Sequence, residues 1–246
     1  MVSLEDRTIV VVGGGSGIGR ATAMLAVELG ARVAIIDIDP AAAQLAASLG
    51  GAAAFIECDA CNPDQFGVVL RQVAHRWNRL DGLVTTVGGA HLAPLQSLDL
   101  AAWDKEVSFN LSSVYVGCRA ALPYLQQRAG AAIVTISSGY AIMAGTDRMA
   151  YSAAKAGVIA FTRSLAAAAA SSGVRANCIA PGPIDTPRFR AMNGGDAGVE
   201  ELRKRMPLGR IPQPSDCAKL AVFLLSGAAS EITGQVIHIN GGLLMP

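Results

Sequence analysis

Thr8-Ile9-Val10-Val11-Val12-Gly13-Gly14-Gly15-Ser16-Gly17-Ile18-Gly19 is followed by Arg20 to Leu29, which is rich in Ala and Leu, and then by Gly30. A β-branched run that stops at a glycine reads as a buried strand. The Arg20–Leu29 stretch reads as a helix ended by the glycine after it. The glycines between them form a tight turn that leads straight into the helix N-terminus. A dinucleotide pyrophosphate needs such a turn, a backbone without Cβ, and free amides at a helix start. The spacing is G-x-x-x-G-x-G rather than G-x-G-x-x-G. A glycine-rich loop alone is weak evidence, and here the strand and helix supply its context. Gly13, Gly15, Ser16, Gly17, Ile18 and Gly19 are therefore candidate cofactor contacts.

The same alternation runs along the chain. Strands are expected at Arg32–Ile36, Ala53–Glu57, Gly82–Val87, Ala131–Ser137, Val174–Ile179 and Gln235–Ile239. Helices are expected at Pro40–Leu49, Asp64–Trp77, Leu100–Gln127 (interrupted near Pro123), Tyr151–Ser171 and Ser215–Ser226. Strands without polar alternation, separated by helices, argue an α/β fold with a parallel sheet of right-handed βαβ units. The 246 residues suit one such domain. Arg188–Gly198 is Gly-rich and without clear periodicity, so it reads as an excursion over a site.

Asp37 ends the second strand. A carboxylate there accepts hydrogen bonds from ribose hydroxyls and repels a 2′-phosphate, which favours NAD over NADP. Ile38 follows it, and no Lys or Arg stands beside it. Asp39 is the competing ligand, and both acids also suit a solvated turn.

Tyr151 and Lys155 stand one helical turn apart, with Ser138 upstream. An ammonium near a phenol favours phenolate and lowers the tyrosine pKa from about 10. A serine hydroxyl beside them can hold a substrate oxygen, so the three assemble a proton-transfer site for an alcohol or ketone. A lone YxxxK is more often a surface helix pair. The rest of the chain reverses that reading.

Composition narrows the partners. Net charge is +1, so no strong field favours nucleic acid or anionic lipid. No apolar run approaches the ~20 residues that span a bilayer, and Met1–Arg7 does not read as a signal peptide. The five cysteines, Cys58, Cys61, Cys118, Cys178 and Cys217, give no disulfide framework. Cys58-x-x-Cys61 has no second half-site, so no metal is expected. A reducing, cytoplasmic location is the expectation.

Glycine loop, upstream serine and YxxxK in this order resemble the short-chain dehydrogenase/reductase family over essentially the whole chain. The resemblance implies a single Rossmann-type, doubly wound domain spanning 1–246. Its seven-stranded parallel sheet would be ordered 3-2-1-4-5-6-7 with helices on both faces, and a substrate lid would cover about 187–205. It implies Asn110, Ser138, Tyr151 and Lys155 as catalytic residues. Ser138 is favoured over Ser137 by its spacing to Tyr151. Beyond the glycine loop, the implied cofactor contacts are Asp37, Ile38, Asp59, Ala60, Gly88, Tyr151, Lys155, Pro181, Gly182, Ile184 and Thr186. Two departures stand out. Val12 replaces the family's leading threonine, and Thr85-Thr86-Val87-Gly88 replaces its N-N-A-G, leaving the local hydrogen bonds open. Relatives are usually homotetramers.

The expected reaction is hydride transfer between NAD and a secondary alcohol or ketone, with Tyr151 as general acid/base. Ala90, His91, Gly139, Tyr140, Met143, Phe189 and Met192 are expected to line the substrate pocket, with His91 a polar loop residue. Arg188 and Arg190 could attract a carboxylate, and solvated arginines are the plainer reading. The alternatives are an NADP-linked 3-ketoacyl-type reductase, which shares every catalytic residue, and a non-catalytic dinucleotide sensor. An epimerase of the extended branch would need a longer C-terminal region.

Overall fold

The computed structural model describes residues 2–245. Seven strands form one parallel sheet ordered β3-β2-β1-β4-β5-β6-β7, as the resemblance implied. They are β1 (Thr8–Val12), β2 (Arg32–Asp37), β3 (Ala53–Glu57), β4 (Gly82–Thr85), β5 (Ala132–Ile136), β6 (Arg175–Pro181) and β7 (Val236–Ile239). The helices are α1 (Gly17–Glu28), α2 (Ala42–Ser48), α3 (Pro63–Trp77), α4 (Leu100–Val107), α5 (Ser113–Leu125), α6 (Met149–Ala169), α7 (Pro187–Met192), α8 (Gly195–Lys204) and α9 (Pro214–Leu225).

The sheet separates two apolar cores. Val10, Val12, Leu83 and Ile133 face Phe66, Leu70, Val114 and Val158 from α3, α5 and α6. Ile9, Val11, Val84 and Val134 face Ala23, Ala26, Ala221 and Leu225 from α1 and α9. Each fully buried Val or Ile contributes about 1.5–3 kcal/mol. Burial on both faces explains why the strands read as continuous apolar runs. At Gly82 a Cβ would stand 2.6 Å from Ile9 Cδ1 and 2.8 Å from Leu225 Cδ2, so the bare backbone lets α9 seat on the sheet.

Register places the site. Val12 pairs with Ile36 on one side and with Thr85 on the other, so Gly13, Asp37 and Thr86 leave the sheet at one level. Ile136 pairs with Ile179, and Pro181 with Ile239, which brings Ser138 and Gly182 to the same carboxyl edge. The order reverses at β1, between β2 and β4, where open α/β sheets form their crevice.

Three expectations are corrected. The strand expected at Gly82–Val87 ends at Thr85, because Thr86 turns its hydroxyl back to Val12 O at 2.7 Å. The Leu100–Gln127 helix breaks at a wide π turn over Ser108–Ser112, not near Pro123. Pro123 sits inside α5 on its exposed side, where the Arg119 carbonyl it leaves unpaired can meet water. The Arg188–Gly198 excursion is helical. Thr186 Oγ1 accepts from Phe189 N at 3.1 Å and Pro187 occupies the first turn, which starts α7. Asn193 and Gly194 separate it from α8, and Gly194 and Gly195, at the start of α8, both have positive φ.

Candidate active site

The glycine loop is built by close backbone approach. Gly13 N and Gly14 N donate to Ile36 O at 2.7 and 3.2 Å. A Cβ on Gly19 would lie 2.1 Å from Gly13 O and 2.5 Å from Thr86 Oγ1. Thr86 Oγ1 donates to Val12 O at 2.7 Å and lies 3.0 Å from Gly13 O. A threonine hydroxyl just past β4 thus ties the loop, which answers the question raised by the two departures. Thr85 Oγ1, beside it, is buried without a hydrogen-bond partner. Ser16 is the N-cap of α1 and makes no side-chain capping bond. The first intrahelical bond of α1 runs from Arg20 N to Ser16 O, leaving the amides of Gly17, Ile18 and Gly19 ahead of the ladder. Across the cleft, the nearest atom to a Cβ on Gly17 would be Thr186 Cγ2 at 3.7 Å. A loop and helix start of this form fit a pyrophosphate.

Asp37 does more than end its strand. Its Oδ2 accepts from Gly15 N at 2.8 Å and its Oδ1 from Asp39 N at 3.1 Å. The carboxylate shapes the loop as well as facing the cleft. Asp39 instead caps the turn before α2, accepting from Ala41 N at 2.9 Å. Next to Asp37, a cavity of about 460 Å³ is lined by Ile38, Asp59, Gln65, Val68, Val69 and Gln72. Its apolar walls and the Asp59 carboxylate fit a flat heterocycle with an amino group. Ala60 is buried behind it. Cys58 is buried and Cys61 half-buried; burial, aided by Asp59, holds both thiols above their ordinary pKa.

The second half of the site forms where β4, β5 and α6 meet. Tyr151 and Lys155 project from one side of α6, with Lys155 Nζ 5.9 Å from the Tyr151 ring centroid. Lys155 is 2% exposed and donates to Ile136 O at 3.0 Å. Ser137 Oγ is spent on Lys155 O at 2.6 Å. Ser138 Oγ accepts from Tyr140 N at 3.2 Å, so its own proton stays free to donate. Gly88 has φ +148, and a Cβ there would lie 2.7 Å from both Asn110 Oδ1 and Lys155 Nζ. The four residues expected to be catalytic therefore converge on one edge. Behind them, Gly182 N donates to Ile239 O at 2.8 Å, while Pro181 and Ile184 are buried.

Sequence reasoning missed Glu106. It is buried on α4, one turn before Asn110. Its Oε1 accepts from Asn110 Nδ2 at 3.1 Å and from His91 N at 3.2 Å, and its Oε2 pairs with His91 Nδ1 at 2.8 Å. Asn110 Oδ1 accepts from Gly89 N at 2.9 Å, and its Nδ2 also donates to Gly89 O at 3.2 Å. The π turn is what swings Asn110 inward to make these bonds. The available signal was the four-residue spacing of Glu106 and Asn110 on one helix face. Removing the carboxylate strands buried donors, at about 1–3 kcal/mol. Glu106→Ala is thus expected to lower Tm by several degrees and turnover about tenfold, with Glu106→Gln milder in both, measured by thermal melts and steady-state rates.

The electrostatics differ from the sequence expectation. Burial holds the Tyr151 phenol above its ordinary pKa; the Ser138 hydroxyl pulls it down, Glu106 pushes it up, and Arg148 and Arg188 pull it down. Burial also draws Lys155 down to about 8. The expected fall of the phenol toward neutrality is opposed here by burial, which outweighs the nearby charges.

Of the expected pocket residues, Met143 Sδ lies near Gly139, 3.9 Å from where its Cβ would be. Arg148 stacks over Tyr140 at 4.3 Å. Ala90 O accepts from Arg188 Nη2 at 3.0 Å. Arg190 is not simply solvated. It pairs with Asp185 at 2.6 Å and also with Asp196.

A model of the family described as enoyl-(acyl carrier protein) reductase matches residues 13–244. The chain is 37% identical to the cis-4-hydroxycyclohexanecarboxylate dehydrogenase of Sinomonas cyclohexanicum, covering 98% of this chain and 97% of the relative. The chain belongs to the short-chain dehydrogenase/reductase family. A second member, the 3-oxoacyl-[acyl-carrier-protein] reductase FabG of Chlamydia trachomatis, is 36% identical over 98% of each chain. A solved family member from Brucella melitensis, titled a short-chain dehydrogenase/reductase of glucose/ribitol dehydrogenase type, superposes with a TM-score of 0.93. It is 33% identical, with 98% of each chain covered. This chain is accordingly an oxidoreductase of that family. Among the described residues no helix is long and apolar enough to cross a membrane.

Proposed function

We propose that this family member is an NAD-dependent dehydrogenase or ketone reductase acting on a secondary alcohol/ketone pair. The observation that carries the reading is that Lys155 Nζ and Asn110 Oδ1 meet at Gly88, with Tyr151 beside Lys155 and Ser138 following β5 at the same sheet edge as Asp37 and the glycine loop. In oxidation, Ser138 Oγ donates to the substrate oxygen and Tyr151 Oη takes the hydroxyl proton. In reduction the same phenol returns it. Lys155 holds the tyrosine side of the cleft and, with Asn110, passes the proton outward. The glycine loop, Asp37, Ile38, Asp59, Ala60, Pro181, Gly182, Ile184 and Thr186 would hold NAD. When bound, it supplies the ring that accepts a hydride and a positive charge that favours phenolate. Residues 187–205 act as the substrate lid of a single domain, and the assembly is a homotetramer.

The second reading is an NADP-linked 3-ketoacyl-type reductase, favoured by the likeness to FabG. Asp37 argues against it, because a 2′-phosphate would meet a carboxylate fixed by Gly15. A non-catalytic dinucleotide sensor has no need of the four converging side chains. The test is steady-state kinetics with both cofactors over a panel of secondary alcohols, cyclic hydroxy acids and 3-hydroxyacyl thioesters. We expect kcat/KM to favour NAD by at least about tenfold. A preference for NADP would support the ketoacyl-type reading, and tight NAD binding without turnover of any substrate would support the sensor.

A further inference from the structure

We infer that the substrate of this dehydrogenase carries a carboxylate, and that Arg188 at the start of α7 is its anchor. The inference rests on the dehydrogenase reading and narrows it to hydroxy acids or their oxo acids.

Position is the first argument. The Cζ, Nη1 and Nη2 atoms of Arg188 lie 2.5–2.7 Å from where a Cβ on Gly89 would stand. The bare backbone at Gly89 gives the guanidinium this seat, and a side chain there would make it shift. Gly88, the next residue, is in turn the point on which Lys155 Nζ and Asn110 Oδ1 converge. The guanidinium is therefore seated beside the proton-transfer cluster.

Valence is the second. Arg188 spends one hydrogen bond, from Nη2 to Ala90 O at 3.0 Å. A guanidinium has five N–H donors in a planar fork. Among the described residues no carboxylate pairs with it, whereas its helix neighbour Arg190 is engaged by Asp185 and Asp196. Arg148, the other cation near Tyr151, is held by Asp147 at 2.8 Å and by the face of Tyr140. Asp185, three residues before Arg188, is taken by Arg190, and the buried Glu106 is bonded to Asn110 and His91. Arg188 thus keeps an unneutralised fork at the cleft, a geometry that matches a carboxylate bidentately.

The experiment compares several secondary hydroxy acids, such as 3-hydroxybutyrate and a ring hydroxy acid, with their methyl esters. It uses the full-length wild type and Arg188→Met, with NAD. We expect wild-type kcat/KM to favour the acids by at least about tenfold. Arg188→Met should lower the acid value at least about tenfold through KM, leaving the esters within about threefold. The Kd for NAD should stay unchanged. Equal use of acids and esters by the wild type, equal losses on both in the variant, or weakened NAD binding would each overturn the anchor. In those cases the dehydrogenase reading survives. It also survives if only uncharged alcohols are oxidised, and the carboxylate proposal then fails. Absence of any NAD-linked turnover sinks both.

Discussion

Tyr151→Phe is expected to reduce turnover at least about a hundredfold while leaving the Kd for NAD within about threefold. The substitution removes one oxygen from a side chain whose ring stays packed on α6, so the fold and the glycine loop are untouched. What disappears is the group that exchanges the proton with the substrate oxygen. Ser138 Oγ cannot replace it, because a serine hydroxyl is far too weak an acid or base at neutral pH. The wild-type pH profile should carry the same signature. Oxidation needs the phenolate, and burial holds the free-enzyme phenol above its ordinary pKa. The value of kcat/KM for oxidation should therefore climb with pH through the alkaline range. Reduction, which needs the phenol, should fall over the same range. Burial draws Lys155 down to about 8, so its charge is lost below the range in which the phenol ionises, which keeps the climb at high pH. The buried thiols of Cys118 and Cys217, pushed up to about 12, do not contribute to the profile. Steady-state rates from pH 6 upward, with NAD titrations of the variant, check both outcomes.

Gly19→Ala should produce the second large effect. Its Cβ would meet Gly13 O at 2.1 Å and Thr86 Oγ1 at 2.5 Å. Neither atom can yield cheaply, since one is backbone and the other is the hydroxyl that ties the loop to β4. Overpacking of this kind costs about 1–3 kcal/mol, which for a chain of this size is a fall of roughly 3–10 °C in Tm. The displaced loop should also raise the Kd for NAD at least about tenfold, because its amides no longer converge on the pyrophosphate. Gly51→Ala is the matched control. Nothing lies within 4 Å of its would-be Cβ, so stability and binding should stay as in the wild type. Thermal melts and NAD titrations of the two variants, side by side, make the comparison.

The fold was legible because its signal is local. Runs such as Thr8–Val12 and Ala132–Ile136 are buried at every position and carry threonine as their one polar residue, a pattern that suits a strand covered on both faces. The catalytic spacing was legible for the same reason, one helical turn between Tyr151 and Lys155. The strand order came from the family resemblance, since pairing partners far apart in sequence leave no local mark. Other features were hidden because they depend on tertiary contacts. The π turn at Asn110 has no propensity signature, and the bonds it accompanies, between Asn110 and both Gly89 and Glu106, include a link to a separate part of the fold. The helix α8 buries none of its residues fully and has only Val199 and Leu202 as large apolar side chains, so its periodic signal is short, and the pairs Glu200–Arg203 and Glu201–Lys204 add support. The tyrosine pKa was misjudged because a charge pattern in sequence carries no measure of burial.

The most direct measurement follows the hydrogen itself. Incubation of the enzyme with NAD and a secondary alcohol deuterated at the carbinol carbon, followed by mass spectrometry of the nucleotide, reports whether a hydride moves from substrate to nicotinamide. The expected result is reduced nucleotide one mass unit heavier than that from unlabelled alcohol, formed with the wild type and nearly absent with Tyr151→Phe. Reduced nucleotide without the label, or equal labelling by the variant, would contradict direct hydride transfer governed by Tyr151.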